Sequence, residues 1–206
     1  MISRTGDGMI IGVTGGLSTG KSTVASFLAV AFGAVVLDAD KIAHEYTEPG
    51  KCAYEMIVRV FGNSILGEER RIDRQLLGRI VFSDSKKLQR LNQIIHPYVK
   101  QKFKEATVRI LRENSRSLIV FDVPLLVESG MTGDVDVLVV VTTTVKKQIE
   151  RAMERFGFTK QEALRRIKAQ LPLQEKTRRA DFVISTSGTL DETKEQVEKL
   201  CQKLNQ

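Results

Sequence analysis

Five short apolar runs punctuate the chain: Met9–Thr14, Ala34–Leu37, Leu118–Asp122, Val135–Val141 and Phe182–Ile184. Continuous apolar runs of this length, bounded by turn residues, read as buried strands. The stretches between them repeat apolar positions at helical spacing. Strands that alternate with helices, and that are apolar throughout instead of at every second position, indicate a parallel sheet covered on both faces. The expected class is α/β with a five-stranded parallel sheet.

Helix signals fill the gaps. Tyr54–Phe61 is helical and closes at Gly62. Asp73 caps a helix to about Phe82. Ser83-Asp84 caps another, which should end at His96 because Pro97 follows; Pro97 then suits the first turn of a new helix. There Val99, Phe103, Ala106 and Ile110 make an amphipathic stripe. Helix is expected from Val145 to Phe156, stopping at Gly157. Thr159 and Glu162 form a capping box for the next helix, and Leu171-Pro172 interrupts it. A last helix runs from Leu190 to Leu204, where Cys201 shares an apolar face with Val197 and Leu204. These elements divide the chain into a core (9–40, 114–145 and 181–206), a helical region at 41–113 and a basic segment at 146–180. Residues 1–8 read as a polar tail without a secretory apolar region.

The first strand leads into Gly15-Gly16-Leu17-Ser18-Thr19-Gly20-Lys21-Ser22, which fits the phosphate-loop pattern G-x-x-x-x-G-K-[ST] without mismatch. A helix opening at Thr23 completes the strand–loop–helix context. Glycine lets phosphate oxygens approach the main chain. The helix N-terminus offers free N–H groups and the positive end of its dipole. Lys21 can reach the β- and γ-phosphates, and Ser22 can ligate Mg²⁺. Without a phosphate, Lys21 is expected to face solvent. Ligands of parallel sheets bind at the carboxyl ends of the strands, so the loop, Asp38, Asp40 and Asp122 should converge. The two helical regions outside the sheet, 41–113 and 146–180, suit a kinase, which needs one such piece to hold the acceptor and one to close over the phosphates.

Composition adds a charge argument. Net charge is +7, and residues 151–180 carry nine Lys or Arg against three Glu, so their partner should be anionic. Two cysteines make no disulfide framework, which points to the cytoplasm as the default compartment. No run is long enough for a membrane span.

Asp38 and Asp40 lie two apart in what reads as extended chain, so both should point the same way. One of them could orient or deprotonate an acceptor hydroxyl; alternatively Asp40 caps a helix beginning at Lys41. Asp122 ends a strand, either as a Mg²⁺ contact or as an ordinary polar terminus. His96 before Pro97 reads most simply as structural.

Taken together, Thr14-Gly15-Gly16, Gly20-Lys21-Ser22-Thr23, Asp38-Ala39-Asp40, His96-Pro97, Pro124-Leu125-Leu126-Val127-Glu128, Arg166–Pro172, Ala180–Ile184 and Ser187-Gly188 resemble the dephospho-CoA kinases, in order and over about residues 9–200. The resemblance implies a P-loop kinase core with a helical acceptor-side insertion and a helical lid. It implies ATP-dependent phosphorylation of the ribose 3′-hydroxyl of dephospho-CoA, the last step of coenzyme A synthesis, with Mg²⁺. By resemblance Asp40 is the catalytic base, and Arg151 a lid arginine near the phosphates beside Lys21. Residues Gly15–Thr23, Arg155, Thr186 and Gly188 would meet ATP. Asp38, His96, Leu125 and Glu128 would meet the acceptor, and Ser22 and Asp122 the metal. The chain departs from the family in two places. Leu17-Ser18-Thr19 stands where a second Gly and a Ser are usual, and Ser185-Thr186 where Asp-Asn is usual.

Three other classes make different demands of the sequence. Another small-molecule kinase would share loop and lid but lack the His-Pro and Pro-Leu-Leu-x-Glu pair. A GTPase would need Asn-Lys-x-Asp, which is not in the chain. A nucleic-acid-binding ATPase would interleave its basic surface with stacking aromatics, whereas 151–180 holds only Phe156 and Phe158 and the chain has no Trp. No nucleic-acid partner is expected, and oligomeric state is left open.

Overall fold

The computed structural model describes residues 8–204. Its sheet consists of β1 (Met9–Gly15), β2 (Val35–Asp38), β3 (Leu118–Asp122), β4 (Val137–Thr142) and β5 (Phe182–Ser185). All pairings are parallel, in the order β2-β3-β1-β4-β5. Five strands in parallel are what the apolar runs predict. The reading of 1–8 as a tail falls, apart from Gly8, outside the described residues.

Side-chain burial explains the lack of alternation. Ile11, Val13, Val120, Val137, Val139 and Val141 on the three central strands have no exposed surface. They pack with Val24 and Leu28 of α1 (Lys21–Phe32) and with Val197 and Leu200 of α9 (Leu190–Leu204). Each fully buried Val or Leu contributes about 1.5–3 kcal/mol of apolar transfer. The edge strands are less covered: Val35 of β2 is 41% exposed and Val183 of β5 is 48% exposed. The direction of strand addition reverses at β1, and the loop after β1 opens at that crevice.

By contact density the chain divides into two units, 1–38 with 107–206, and 39–106. The first holds the sheet together with α6 (Val145–Phe156), α7 (Lys160–Lys168) and α8 (Leu173–Thr177). The second has α2 (Ala39–Tyr46), α3 (Cys52–Phe61), α4 (Arg74–Phe82) and the first part of α5 (Ser85–Glu113). Its own core gathers Ala53, Ile57, Ile65, Leu77, Val81 and Ile94.

Local signals hold where the chain terminates an element by its own chemistry. Asp73 accepts from the N–H groups of Gln75 and Leu76, and Asp84 from those of Lys86 and Lys87. The Thr159–Glu162 capping box is formed, and α6 ends at Gly157 with φ 66°. The backbone N–H and hydroxyl of Thr159 hold the Glu162 carboxyl below its ordinary range.

Two expectations fail. The helix does not stop at His96: α5 runs unbroken through Pro97. Proline removes one helical hydrogen bond, at a cost of about 3 kcal/mol, but its φ is already helical. Buried Ile94, Val99, Phe103, Ala106 and Ile110 continue one apolar stripe across it, so packing overrides the break. Nor is the chain extended through Asp38-Ala39-Asp40. Asp38 ends β2, while Asp40 lies exposed in the first turn of α2, two residues past the cap position. The shared-face argument from a spacing of two therefore does not apply.

Candidate nucleotide site

The phosphate loop joins the end of β1 to the start of α1. Its geometry requires glycine at two places. A Cβ on Gly15 would meet Thr19 Oγ1 and the Val141 carbonyl at 2.6 Å, and Gly20 adopts φ 83°. Ser18, where the resemblance leads one to expect glycine, also takes a left-handed φ of 52°. A non-glycine residue there costs about 1–2 kcal/mol.

Four of the loop's carbonyls accept hydrogen bonds from side chains. Lys176 Nζ donates to Gly15 O at 3.0 Å, Thr19 Oγ1 to Gly16 O at 3.1 Å, Gln148 Nε2 to Leu17 O at 2.7 Å and Thr186 Oγ1 to Thr19 O at 2.7 Å. Gln170 Oε1 accepts from the Leu17 N–H at 3.0 Å. With the carbonyls engaged, the first N–H groups of α1, which have no partner within the helix, remain for an anion. A loop held in this way needs little reorganisation to meet phosphate.

Lys21 is not solvent-facing. It is 9% exposed and forms a buried ion pair with Asp122, itself 2% exposed. The strand register explains the pairing: Asp122 aligns with Val13 of β1, just before the loop, and with Asp38 of β2 on its other side. The Asp122 carboxylate thus engages the lysine directly.

Arg151, on α6, donates from Nη1 to Thr186 Oγ1 at 3.0 Å and from Nη2 to Thr186 O at 2.9 Å. Lys147 donates to the Ser187 carbonyl. Beside these contacts opens a cavity of about 420 Å³, lined by Ser18, Gly20, Thr23, Arg151, Arg155, Thr186, Gly188 and Leu190 among others. Its volume is in the range of small-molecule sites. Here the structure brings together the loop, the two arginines and the segment after β5.

Other candidates lie elsewhere. Leu125 is half-buried in the loop after β3. In that loop Glu128 Oε1 accepts from Lys176 Nζ at 2.8 Å and from Leu171 N at 3.1 Å. Asp40 and His96 belong to the second unit, the latter half-buried within α5. Asp40 lies close enough to Arg74 to raise its guanidinium pKa, against the larger lowering by burial.

Sequence reading missed Gln148, Gln170 and Lys176. Lys176 entered only as one surface charge among nine, yet its side chain is fully buried. Its position between Pro172 and Thr177 on the short helix α8 carried no periodic signal. Burial lowers its ammonium pKa, Glu128 partly restores it, and the Lys21 ammonium lowers it further. The exposed end of 146–180 is different in kind: Phe156 and Phe158 stack at 5.2 Å, and the Arg166 guanidinium sits 4.2 Å over the Phe158 ring.

No group of three or more His, Cys, Asp or Glu among the described residues is placed to hold a metal. The donors at hand are Ser22, exposed in the first turn of α1, and the carboxylates at the adjacent ends of β2 and β3. This set suits Mg²⁺, which keeps several waters and takes one or two protein oxygens along with those of phosphates.

A phosphate loop at the switch point of a five-stranded parallel sheet, with basic helices beside it, defines a P-loop kinase fold. The sequence model of the dephospho-CoA kinase family matches residues 9–192. The chain belongs to the dephospho-CoA kinase family. It is 44% identical over 194 residues to the dephospho-CoA kinase of Carboxydothermus hydrogenoformans, covering 94% of this chain and 93% of that one. The crystal structure of TT1252 from Thermus thermophilus superposes with a TM-score of 0.76 at 33% identity, over 96% of this chain and 98% of that chain. The dephospho-CoA kinase from Campylobacter jejuni superposes with a TM-score of 0.64 at 28% identity, over 95% and 96%.

Proposed function

We infer that this chain transfers the γ-phosphoryl group of ATP to the ribose 3′-hydroxyl of dephospho-CoA, giving coenzyme A and ADP. The observation that carries the reading is the family match from residue 9 to residue 192, which spans the phosphate loop, the basic segment and the start of the last helix.

In this reading the N–H groups at the start of α1 and the Lys21 ammonium bind the β- and γ-phosphates, and Lys21 exchanges Asp122 for phosphate oxygen. The base and ribose of ATP occupy the cavity beside Thr186 and Gly188. Arg151 leaves Thr186 and, with Arg155, meets the charge on the transferring group, where a positioned donor stabilises the transition state most. Asp40 orients the acceptor hydroxyl and takes its proton; in a largely dissociative transfer, orientation is much of the benefit. Asp38, His96 and Leu125 contribute to the acceptor side. Ser22, with Asp122 near, would hold Mg²⁺, whose charge would offset that of the phosphates.

The test is coupled ADP release with dephospho-CoA, AMP, adenosine, shikimate or no acceptor. Turnover with dephospho-CoA well above the rest is expected. Comparable or faster turnover with another acceptor would overturn the assignment.

A further inference from the structure

Lys176 has three donors and three acceptors: Gly15 O at 3.0 Å, Pro124 O at 2.9 Å and Glu128 Oε1 at 2.8 Å. Pro124 O also accepts from Thr14 Oγ1 at 3.0 Å, and Glu128 Oε1 from Leu171 N at 3.1 Å. One ammonium thus joins the end of β1, the loop after β3 and the approach to α8.

Burying the Lys176 ammonium beside the exposed Glu128 is weak evidence for stability, because desolvating the ion costs several kcal/mol and a well-packed apolar side chain often serves as well. An apolar side chain cannot orient two carbonyls. Fixing Gly15 O fixes the plane of the peptide that opens the phosphate loop, since the peptide is planar. The Gly16, Leu17 and Thr19 carbonyls are tied through Thr19, Gln148 and Thr186, and Lys176 holds the Gly15 carbonyl at the start of the loop.

We propose that Lys176, held by Glu128, is a positioning residue for the phosphate loop: it sets the loop's geometry for ATP and touches no substrate. This places Glu128 in the loop's support and not at the acceptor. The proposal rests on the ATP-dependent reading above.

The test compares the full chain with Lys176→Met, with Lys176→Met/Glu128→Leu and with Glu128→Gln, by urea denaturation, by ATP·Mg²⁺ titration calorimetry and by steady-state kinetics. Lys176→Met leaves the Glu128 carboxylate without its cation and should lose stability. The double variant removes both charges and should recover it. In both, kcat/KM for ATP should fall about 10²-fold, the scale on which a small misplacement acts, while KM for dephospho-CoA stays unchanged. Glu128→Gln keeps a hydrogen-bond acceptor for Lys176, so it should fold and lose ATP efficiency by less. Double or Glu128→Gln variants that bind and use ATP as well as the parent would overturn the proposal. So would an equal loss of dephospho-CoA affinity, which would mark general loosening. If the parent binds ATP but does not phosphorylate dephospho-CoA, the functional reading fails while calorimetry still decides the role of Lys176.

Discussion

Around the phosphate loop, polar contacts do the holding: two buried lysines with named acceptors, two glutamine amides on one residue's backbone, and an arginine on Thr186. In the 39–106 unit the holding is apolar: Ile57 and Ile65 are fully buried in a cluster of aliphatic side chains, and its charges lie at helix ends and on the surface. Hydrogen bonds fix directions, whereas apolar burial is nearly non-directional. The first region therefore specifies a geometry, and the second chiefly specifies a compact shape. Substitutions should divide accordingly, into effects on rate near the loop and effects on stability in the helical unit.

The largest expected effect is also the exception that could break this division. Asp40 belongs to the helical unit, yet Asp40→Asn should lower kcat by about 10²–10⁴, the range of a positioned base. Its stability should fall by less than about 1 kcal/mol, the value of an acid near a helix N-terminus. Steady-state kinetics and urea denaturation on the same preparation decide it; unchanged kcat would leave Asp40 a surface residue of α2. Asp38→Asn is the milder of the pair, and the reverse order would move the role to Asp38.

Lys21→Ala should lower kcat by about 10²–10³ through loss of a charge-assisted contact. It should also destabilise the ligand-free chain by about 3–5 kcal/mol, because Asp122 is left buried and unpaired. Adding Asp122→Asn should return stability without activity. A Lys21→Ala protein as stable as the parent would mean that the ion pair does not hold this region.

Ile57→Ala should cost about 2–5 kcal/mol of stability while leaving kcat/KM for ATP unchanged well below its melting temperature. A selective loss of ATP affinity would erase the proposed contrast.

The smallest effect is one of pH. Glu162 is half-buried, and its folded-state pKa is depressed by hydrogen bonds from Thr159. Its contribution to α7 is complete above the ordinary glutamate value of 4.5 and is lost as pH falls through the lower folded value. Amide exchange at the start of α7 should speed up in that acid window in the parent. In Glu162→Gln it should not depend on pH in this way beyond the intrinsic chemistry.

Several features of the fold were legible because neighbouring residues cause them. Apolar runs become strands, and Asp73, Asp84, Thr159 and Gly157 begin or end helices through bonds within a few residues of themselves. The phosphate loop is legible for the same reason: strand, glycines, lysine and helix dipole lie within one continuous stretch. Pro97 shows the limit, since a local preference worth about 3 kcal/mol yields to an apolar stripe along a 29-residue helix.

The parallel sheet, the position of the phosphate loop and the family follow from local pattern alone. Each depends on side-chain type and spacing over short distances, where backbone sterics and hydrophobic period act directly. Which charges are paired emerges only from packing between distant segments. Lys21 meets Asp122 across 101 residues, Lys176 meets Gly15 across 161, and Leu17 is held by Gln148 and Gln170 from 131 and 153 residues away. No periodicity encodes such pairs. They form because strand register brings chain ends together, and because a charge buried there must find a partner or not be buried at all.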